Sequence, residues 1–281
     1  NIIINNLNLI PNYSGNDHQT FANEGNVQLS GGIYILIMFI ILFFNKLILI
    51  SFFFSIFLIG LASDKNLLVS PKKRLILQII TVLSFVYVFN LRIFETRVEL
   101  INSFLSYNLI AYIFASFCIL VLINGSNFID GLNSLLLGYF MIVLFILFKL
   151  NLLNQIGLNP DKIDFLFSIL CFLILLNYLN FLFLGDSGSY LIGLFLSFLI
   201  ISIYNFNLNS ISPYFIIVLV WYPCFENLFS IIRKKLNKLS PTHADHKHLH
   251  QLIFVFAKKI LNIEKKYLNS IVSIFINLFN L

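Results

Sequence analysis

Long apolar runs separated by short polar stretches set the plan of this chain. They lie at roughly 31–45, 47–62, 74–91, 104–123, 132–148, 164–184, 188–206, 212–232 and 267–281. Their length and poverty in charge predict helices that cross a bilayer, where the backbone must satisfy its own hydrogen bonds. The expected fold is all-α: a polytopic transmembrane helix bundle of about nine spans, forming one integral-membrane domain over residues 1–281. Residues 1–30 carry no Lys or Arg and form a polar lead-in that ends before Gly31-Gly32. The stretch 92–103, with Arg92, Glu95, Arg97 and Glu99, reads as a solvated or interfacial helix.

Composition agrees with that plan. The chain is 59% hydrophobic and 11% charged, whereas a soluble domain carries about 25% charged residues. Its net charge of +6 is unevenly placed. Lys65, Lys72, Lys73 and Arg74 fall in loop 63–74, and nine more basic residues fall in 233–266. The alternate loops hold Lys46, Arg92, Arg97, Lys149 and Lys162. Such asymmetry follows the positive-inside rule and puts the first set in the cytoplasm; it does not call for nucleic acid. Alternation then places 1–30, 124–131 and 184–188 on the same side. Every polar cluster with chemical promise therefore converges on the cytoplasmic face. Cys118, Cys171 and Cys224 lie in apolar runs without a pairing pattern and read as packing residues.

Four clusters carry candidate chemistry. Gly185-Asp186-Ser187-Gly188-Ser189 sets one carboxylate between glycines at a seam of two apolar runs. An acid there is costly unless it faces protein or water, and the N–H groups opening the next helix suit an anion. An ordinary interhelical turn would look the same. Asp64, with Lys65 and then Lys72-Lys73-Arg74, is either a helix cap or a carboxylate facing phosphate or metal. Asn124 to Asn133 places Asn127, Asp130 and Asn133 at intervals of three, near one another on a helical face, or else supplies capping residues for a turn. Asp64, Asp130 and Asp186 are the only acids in their respective loops. The fourth cluster runs from Ser240 to Gln251 and holds His243, His246, His248 and His250. A zinc site, a diphosphate-binding loop and a surface His tract all fit it, with the neighbouring lysines favouring an anion.

In this order the four motifs resemble those of the polyprenyl-phosphate sugar-1-phosphate transferases. These include the undecaprenyl-phosphate N-acetylglucosamine-1-phosphate transferases and the phospho-N-acetylmuramoyl-pentapeptide transferases. The resemblance runs from His18 and Gly31-Gly32 to the His loop. Gly60 to Arg74 is similar to the family's Asp-Asp loop, with Ser63 in place of the first Asp. Asn124 to Asn133 resembles the Asn-x-x-Asn-x-x-Asp-Gly motif. Gly185 to Ser189 resembles the Mg²⁺ loop. His248-Leu249-His250 is similar to the His-Leu-His-His motif, with Gln251 in the last place. The family has one more span on either side, and both are expected to be missing here.

The resemblance implies transfer of a sugar-1-phosphate, N-acetylhexosamine-1-phosphate in the first instance, from a UDP-sugar to undecaprenyl phosphate. UMP is released, and cell-envelope polysaccharide such as lipopolysaccharide is begun. It implies Asp64, Asp130 and Asp186 as catalytic residues, and Asp186, Asn127 and Asp130 as the Mg²⁺ site. Substrate contacts are expected from Asn127, His248, His250, Lys72, Lys73, Arg74, Ser187 and Gly188. The implied setting is a bacterial inner membrane with a cytoplasmic active site; a homodimer is left open. A pentapeptide transferase of peptidoglycan synthesis, an impaired relative and a membrane transporter are the alternatives.

Overall fold

The computed structural model describes residues 27–238, 247–261 and 263–281. These residues form twelve α-helices and no strand. They are α1 (Gly31–Leu42), α2 (Leu47–Asp64), α3 (Pro71–Val88), α4 (Glu99–Leu105), α5 (Asn108–Ile129) and α6 (Leu135–Lys149), then α7 (Pro160–Tyr178), α8 (Gly185–Phe206), α9 (Pro213–Leu219), α10 (Trp221–Leu236), α11 (Leu249–Ile260) and α12 (Lys265–Phe279). A 3-10 turn covers Leu153–Ile156. Each of the nine apolar runs contains a helix. Among the described residues, α2, α5 and α8 are long and apolar enough to cross a membrane alone, and α9 with α10 makes a fourth if the bent pair is one span. Helices α3 and α7 reach 18 and 19 residues but carry charges in their first turns. The apolar helices Gly31–Leu42, Leu135–Lys149 and Tyr267–Phe279 are shorter.

Local sequence explains the helix starts. Ser70-Pro71, Asn159-Pro160 and Ser212-Pro213 each put a polar residue before a proline at the first helical position. Proline's fixed φ suits that position and its missing N–H costs nothing there. Asn159 Oδ1 accepts from Lys162 N at 3.3 Å, and Ser212 Oγ accepts from Tyr214 N at 3.3 Å.

Helix α8 is the centre of the bundle. It packs against α1, α2 and α5, and 83% of its most apolar stretch is buried inside the protein, against 28% for α2. Phe195 lies among Phe39, Phe43, Phe53 and Phe140, with ring centroids 4.5–6.1 Å apart. Small residues bring the backbones together. A Cβ on Gly193 would sit 2.6 Å from Ile123 Cα, and one on Gly60 would run into the Asp186–Ser187 backbone.

The run 212–232, continuous in hydropathy, is broken by a 78° bend between α9 and α10. Pro223 is the cause. It has no N–H for the Leu219 carbonyl four residues back, and its ring crowds that carbonyl. Tyr139 OH donates to the freed Leu219 oxygen at 2.9 Å, so the break is satisfied rather than orphaned.

Hydrogen bonds gather the polar segments at two opposite ends. At one, Gly31 N donates to Phe183 O at 2.9 Å, Asn133 N to Asn269 Oδ1 at 2.8 Å, and Ser134 N to Asn177 Oδ1. At the other, Tyr204 OH donates to Glu95 O at 2.8 Å, Asn205 Nδ2 to Arg92 O at 2.9 Å, and Gln155 Nε2 to Asn207 Oδ1 at 3.3 Å. The Asp motifs all lie at the first end.

Candidate active site

The start of α8 builds the first half of the site. Gly185 takes φ +70°, the left-handed region that glycine enters without cost, and so turns the chain into the helix. Its neighbour in space is Asp64: a Cβ at Gly185 would lie 2.8 Å from Asp64 Oδ2. The first N–H groups of α8 have no partner within their own helix. Asp64, at the last turn of α2, supplies it. Its Oδ1 accepts from Asp186 N at 2.8 Å and its Oδ2 from Ser187 N at 3.1 Å. The anion that the sequence led us to expect at this helix start is therefore the Asp64 carboxylate, which caps α8 rather than its own helix.

Asp186 then faces a ring of donors. Its Oδ2 accepts from Ser63 Oγ at 2.5 Å, from Arg74 Nη1 at 2.9 Å and from Tyr190 OH at 3.4 Å. Its Oδ1 accepts from Asn127 Nδ2 at 2.7 Å. Asn127 Nδ2 also donates to Ser189 Oγ at 3.0 Å. Arg74 Nη1 donates to Ser63 Oγ at 2.6 Å as well, so the serine hydroxyl sits between guanidinium and carboxylate. Four helices thus meet on one carboxylate: α2 through Ser63, α3 through Arg74, α5 through Asn127, and α8 itself. Lys72 and Lys73 stand exposed in the first turn of α3. Cations at a helix N-terminus oppose the dipole preference, so these three basic residues make a positive corner beside the acids. Ser187 and Gly188 are buried under α1. Gly32 N lies 3.2 Å from the Cβ position of Gly188, and a Cβ on Gly32 would strike Ser187 Oγ.

Helix α5 ends at Ile129, and the three-residue interval of Asn127, Asp130 and Asn133 does not survive that end. Asn133 is 4% exposed and serves packing; its Nδ2 donates to Asn180 Oδ1 at 2.7 Å and its backbone N to Asn269. Asn124 turns to α3, donating to Gln78 Oε1 at 3.1 Å. Asp130, at the C-cap, stays with the site. Burial, then the carboxylates of Asp186 and Asp64, push its carboxyl well above the usual range.

The second half of the site is a pair of stacked imidazoles. His248 and His250 are 4% and 0% exposed, and their rings lie 5.6 Å apart at 6°. His248 Nδ1 is 2.7 Å from Glu226 Oε2, and His250 Nδ1 is 3.3 Å from Tyr222 OH. Burial, then His248, holds the His250 ring down to about 3, so it is neutral. Its Nε2 has no partner among the described residues and would lie 2.6 Å from a Cβ on Gly131. The stretch 127–131 joins the two halves. Asn127 bonds Asp186, the Phe128 ring lies 5.0 Å from that of His248, and Gly131 abuts His250. His18, His243 and His246 lie outside the described residues. Among the described residues no three His, Cys, Asp or Glu side chains close into a ready metal-ligand set. Glu226 and Tyr222 escaped the sequence reading. The available signal was a lone acid in an apolar run, which is costly without a partner.

The sequence profile of Glycosyl transferase family 4 matches residues 46–204, more than half the chain. The chain belongs to this family. The matched stretch of the family 4 profile runs from the start of α2 through α8 and contains Asp64, Arg74, Asn127, Asp130 and Asp186. The chain is similar to the undecaprenyl-phosphate alpha-N-acetylglucosaminyl 1-phosphate transferase of Thermotoga maritima, 29% identical over 139 residues, which is 50% of this chain and 40% of the relative. It is 26% identical over 213 residues to a probable undecaprenyl-phosphate N-acetylglucosaminyl 1-phosphate transferase of Bacillus subtilis, covering 72% of this chain and 56% of that one. It is also 26% identical over 264 residues to a phospho-N-acetylmuramoyl-pentapeptide-transferase of Prochlorococcus marinus, covering 84% and 72%. The aligned regions thus take in about half the length of the first two of these family 4 relatives.

Proposed function

We propose that this chain transfers a sugar-1-phosphate from a UDP-sugar to a polyprenyl phosphate, releasing UMP, with N-acetylglucosamine or a related N-acetylhexosamine as the sugar. The observation that carries the reading is the junction at 127–131. It brings three carboxylates and Arg74 next to a neutral, buried imidazole whose Nε2 is unpartnered. The names of the relatives in Thermotoga maritima and Bacillus subtilis favour N-acetylglucosamine; that of the Prochlorococcus marinus relative keeps the pentapeptide substrate as the second reading.

In the proposed step an oxygen of the lipid phosphate attacks the phosphorus that bears the sugar. That P–O bond forms, the bridging P–O bond of the diphosphate breaks, and UMP leaves with the electron pair. Lys72, Lys73 and Arg74 draw the lipid phosphate to the helix start of α3, where dipole and cations act together. Asp64 keeps α8 in register and borders the incoming phosphate. His248 and His250 offer Nε2 atoms to the diphosphate where charge builds. The donor chemistry suits Mg²⁺: hard oxygens from three acidic side chains and an amide, where burial and the neighbouring acids raise Asp130 in the absence of a cation. Asp186, with Asn127 and Asp130, would hold the ion. When bound it supplies neutralisation of the diphosphate and of the leaving UMP.

The same reading places nine spans in a bacterial inner membrane with the acidic end in the cytoplasm. A transporter would carry its acids in mid-span; here Asp64, Asp130 and Asp186 stand at helix ends, and Glu226, the acid inside a run, is tied to His248. The test uses detergent-solubilised protein, radiolabelled UDP-N-acetylglucosamine, undecaprenyl phosphate and Mg²⁺. A lipid-linked product is expected, with Asp186→Asn lowering turnover at least about 100-fold while still inserting in the membrane. No lipid product with any UDP-sugar, beside a competent control enzyme, would sink the reading. Near-normal turnover in Asp186→Asn would remove the ion from that carboxylate.

A further inference from the structure

Helix α10 meets both histidines by the same ring atom. Tyr222 and Glu226 are four residues apart and so share one face of α10. The first lies 3.3 Å from Nδ1 of His250, the second 2.7 Å from Nδ1 of His248. Glu226 is 2% exposed, and its other oxygen, Oε1, accepts from Leu249 N at 2.7 Å. A carboxylate buried in an apolar run is costly unless every lone pair it turns inward is used. Both of its oxygens are used on the opening residues of α11, where Gln251 Oε1 also accepts from His248 N at 3.3 Å.

We propose that Glu226 is a positioning residue for His248, holding the proton on Nδ1 and so turning Nε2 toward the substrate diphosphate. A carboxylate accepts and does not donate, which fixes the tautomer of the ring that faces it. The two ring nitrogens lie on opposite sides of an imidazole, so a ring pinned at Nδ1 by α10 presents Nε2 away from α10. For His250 that direction is on view: its Nε2 lies against Gly131, next to Asp130. His248 is parallel to it within 6°, and the Phe128 ring borders it on the α5 side. The bent pair α9–α10 gives this device its frame. The break set by Pro223 starts α10 afresh at Trp221, one residue before Tyr222 and five before Glu226.

The kinetic arm of the test rests on the transferase reading above; the spectroscopic arm does not. Protein carrying ¹⁵N-labelled histidine is measured in detergent, with the His248 resonance assigned by its loss in His248→Gln. The proton is expected on Nδ1 in the native chain. In Glu226→Gln the amide can present its NH₂ to the ring, which moves the proton to Nε2; Glu226→Asp keeps the native signature. An unprotonated Nδ1 in the native chain overturns the proposal, whatever the enzyme assay gives. Where transfer is measured, Glu226→Gln is expected to lower kcat roughly 10–100-fold, the usual range for a lost orienting partner. KM for the UDP-sugar should change little, and Glu226→Asp should recover most of the rate. In the His248→Gln background, Glu226→Gln should cost nothing more. An equal further loss in that background would make Glu226 a structural cap of α11 alone, and the proposal would fall. If Glu226→Gln does not fold, the position of the proton on His248 in the native chain decides the proposal by itself.

Discussion

His250 shows how a single buried ring can carry a measurable pH dependence. It is 0% exposed, its Nδ1 is occupied by Tyr222 OH, and its Nε2 abuts the turn after Asp130. Burial first, and His248 second, disfavour the imidazolium and hold the group down to about 3. In the unfolded chain it would titrate near 6.5. Between those values the unfolded state binds a proton that the folded state refuses. The contribution to stability is therefore complete above about pH 6.5 and is lost as pH falls toward 3. One such proton amounts to about 2 kcal/mol by pH 5. We expect the unfolding midpoint of the detergent-solubilised protein to fall between pH 7 and pH 5, and to fall distinctly less in His250→Gln. Asp130 works in the opposite sense, since a carboxyl pushed up in the folded state favours folding as pH drops. It is common to both proteins, so their difference isolates the histidine. Parallel acid limbs would show that the ring is solvated.

At the scale of elements, the site depends on backbones that touch. Helices α2 and α8 approach so closely that a Cβ on Gly60 would fall 2.5 Å from Ser187 N and 2.7 Å from the Asp186 carbonyl carbon. Asp64 is one turn further along the same helix, and its carboxylate holds the N–H groups of Asp186 and Ser187. Gly60→Ala is therefore expected to destabilise the protein by about 1–3 kcal/mol, the range for overpacking, and to lower transfer activity because the cap slides off α8. Gly157 is the control. Its φ of +82° makes alanine strained, yet its Cβ would meet only Lys46 Nζ, at 3.9 Å. Gly157→Ala should lower the unfolding temperature and leave transfer activity as it is. Equal activity losses in the two variants would show that stability alone governs the site. These contacts also mark what could be read in advance. Asp64, Asn127 and Asp186 stood out because acids and amides between apolar runs need a reason. Asn133 misled because a periodicity of three holds only while the helix lasts, and α5 stops at Ile129. Glu226 lay inside a run counted as apolar, and its partner is 22 residues away in sequence. The bend at Val220 was hidden because hydropathy is blind to direction, although Pro223 was there to be weighed.

For the whole molecule, sidedness is the property on which the active-site reading stands. The sequence places loops 63–74, 124–131, 184–188 and 233–266 together by counting alternations. The fold brings segments of these loops to one end by hydrogen bonds and ring contacts. The direction is expected from the basic residues: thirteen of the eighteen Lys and Arg lie in 63–74 and 233–266, the stretches that alternation groups with the acids. Translocation of such loops is disfavoured, so that end should remain in the cytoplasm. Cysteine labelling can read it. With Cys118, Cys171 and Cys224 changed to serine, single cysteines are placed at the exposed positions Val69 and Asn237 near the acidic end, and at Glu99 and Asn154 near the other. A membrane-impermeant maleimide added to intact cells should label Glu99→Cys and Asn154→Cys and leave Val69→Cys and Asn237→Cys untouched. Inverted vesicles should give the reverse. Labelling of Val69→Cys and Glu99→Cys from the same side would mean that α3 does not cross, and the alternation that groups the four polar loops on one face would lose its footing.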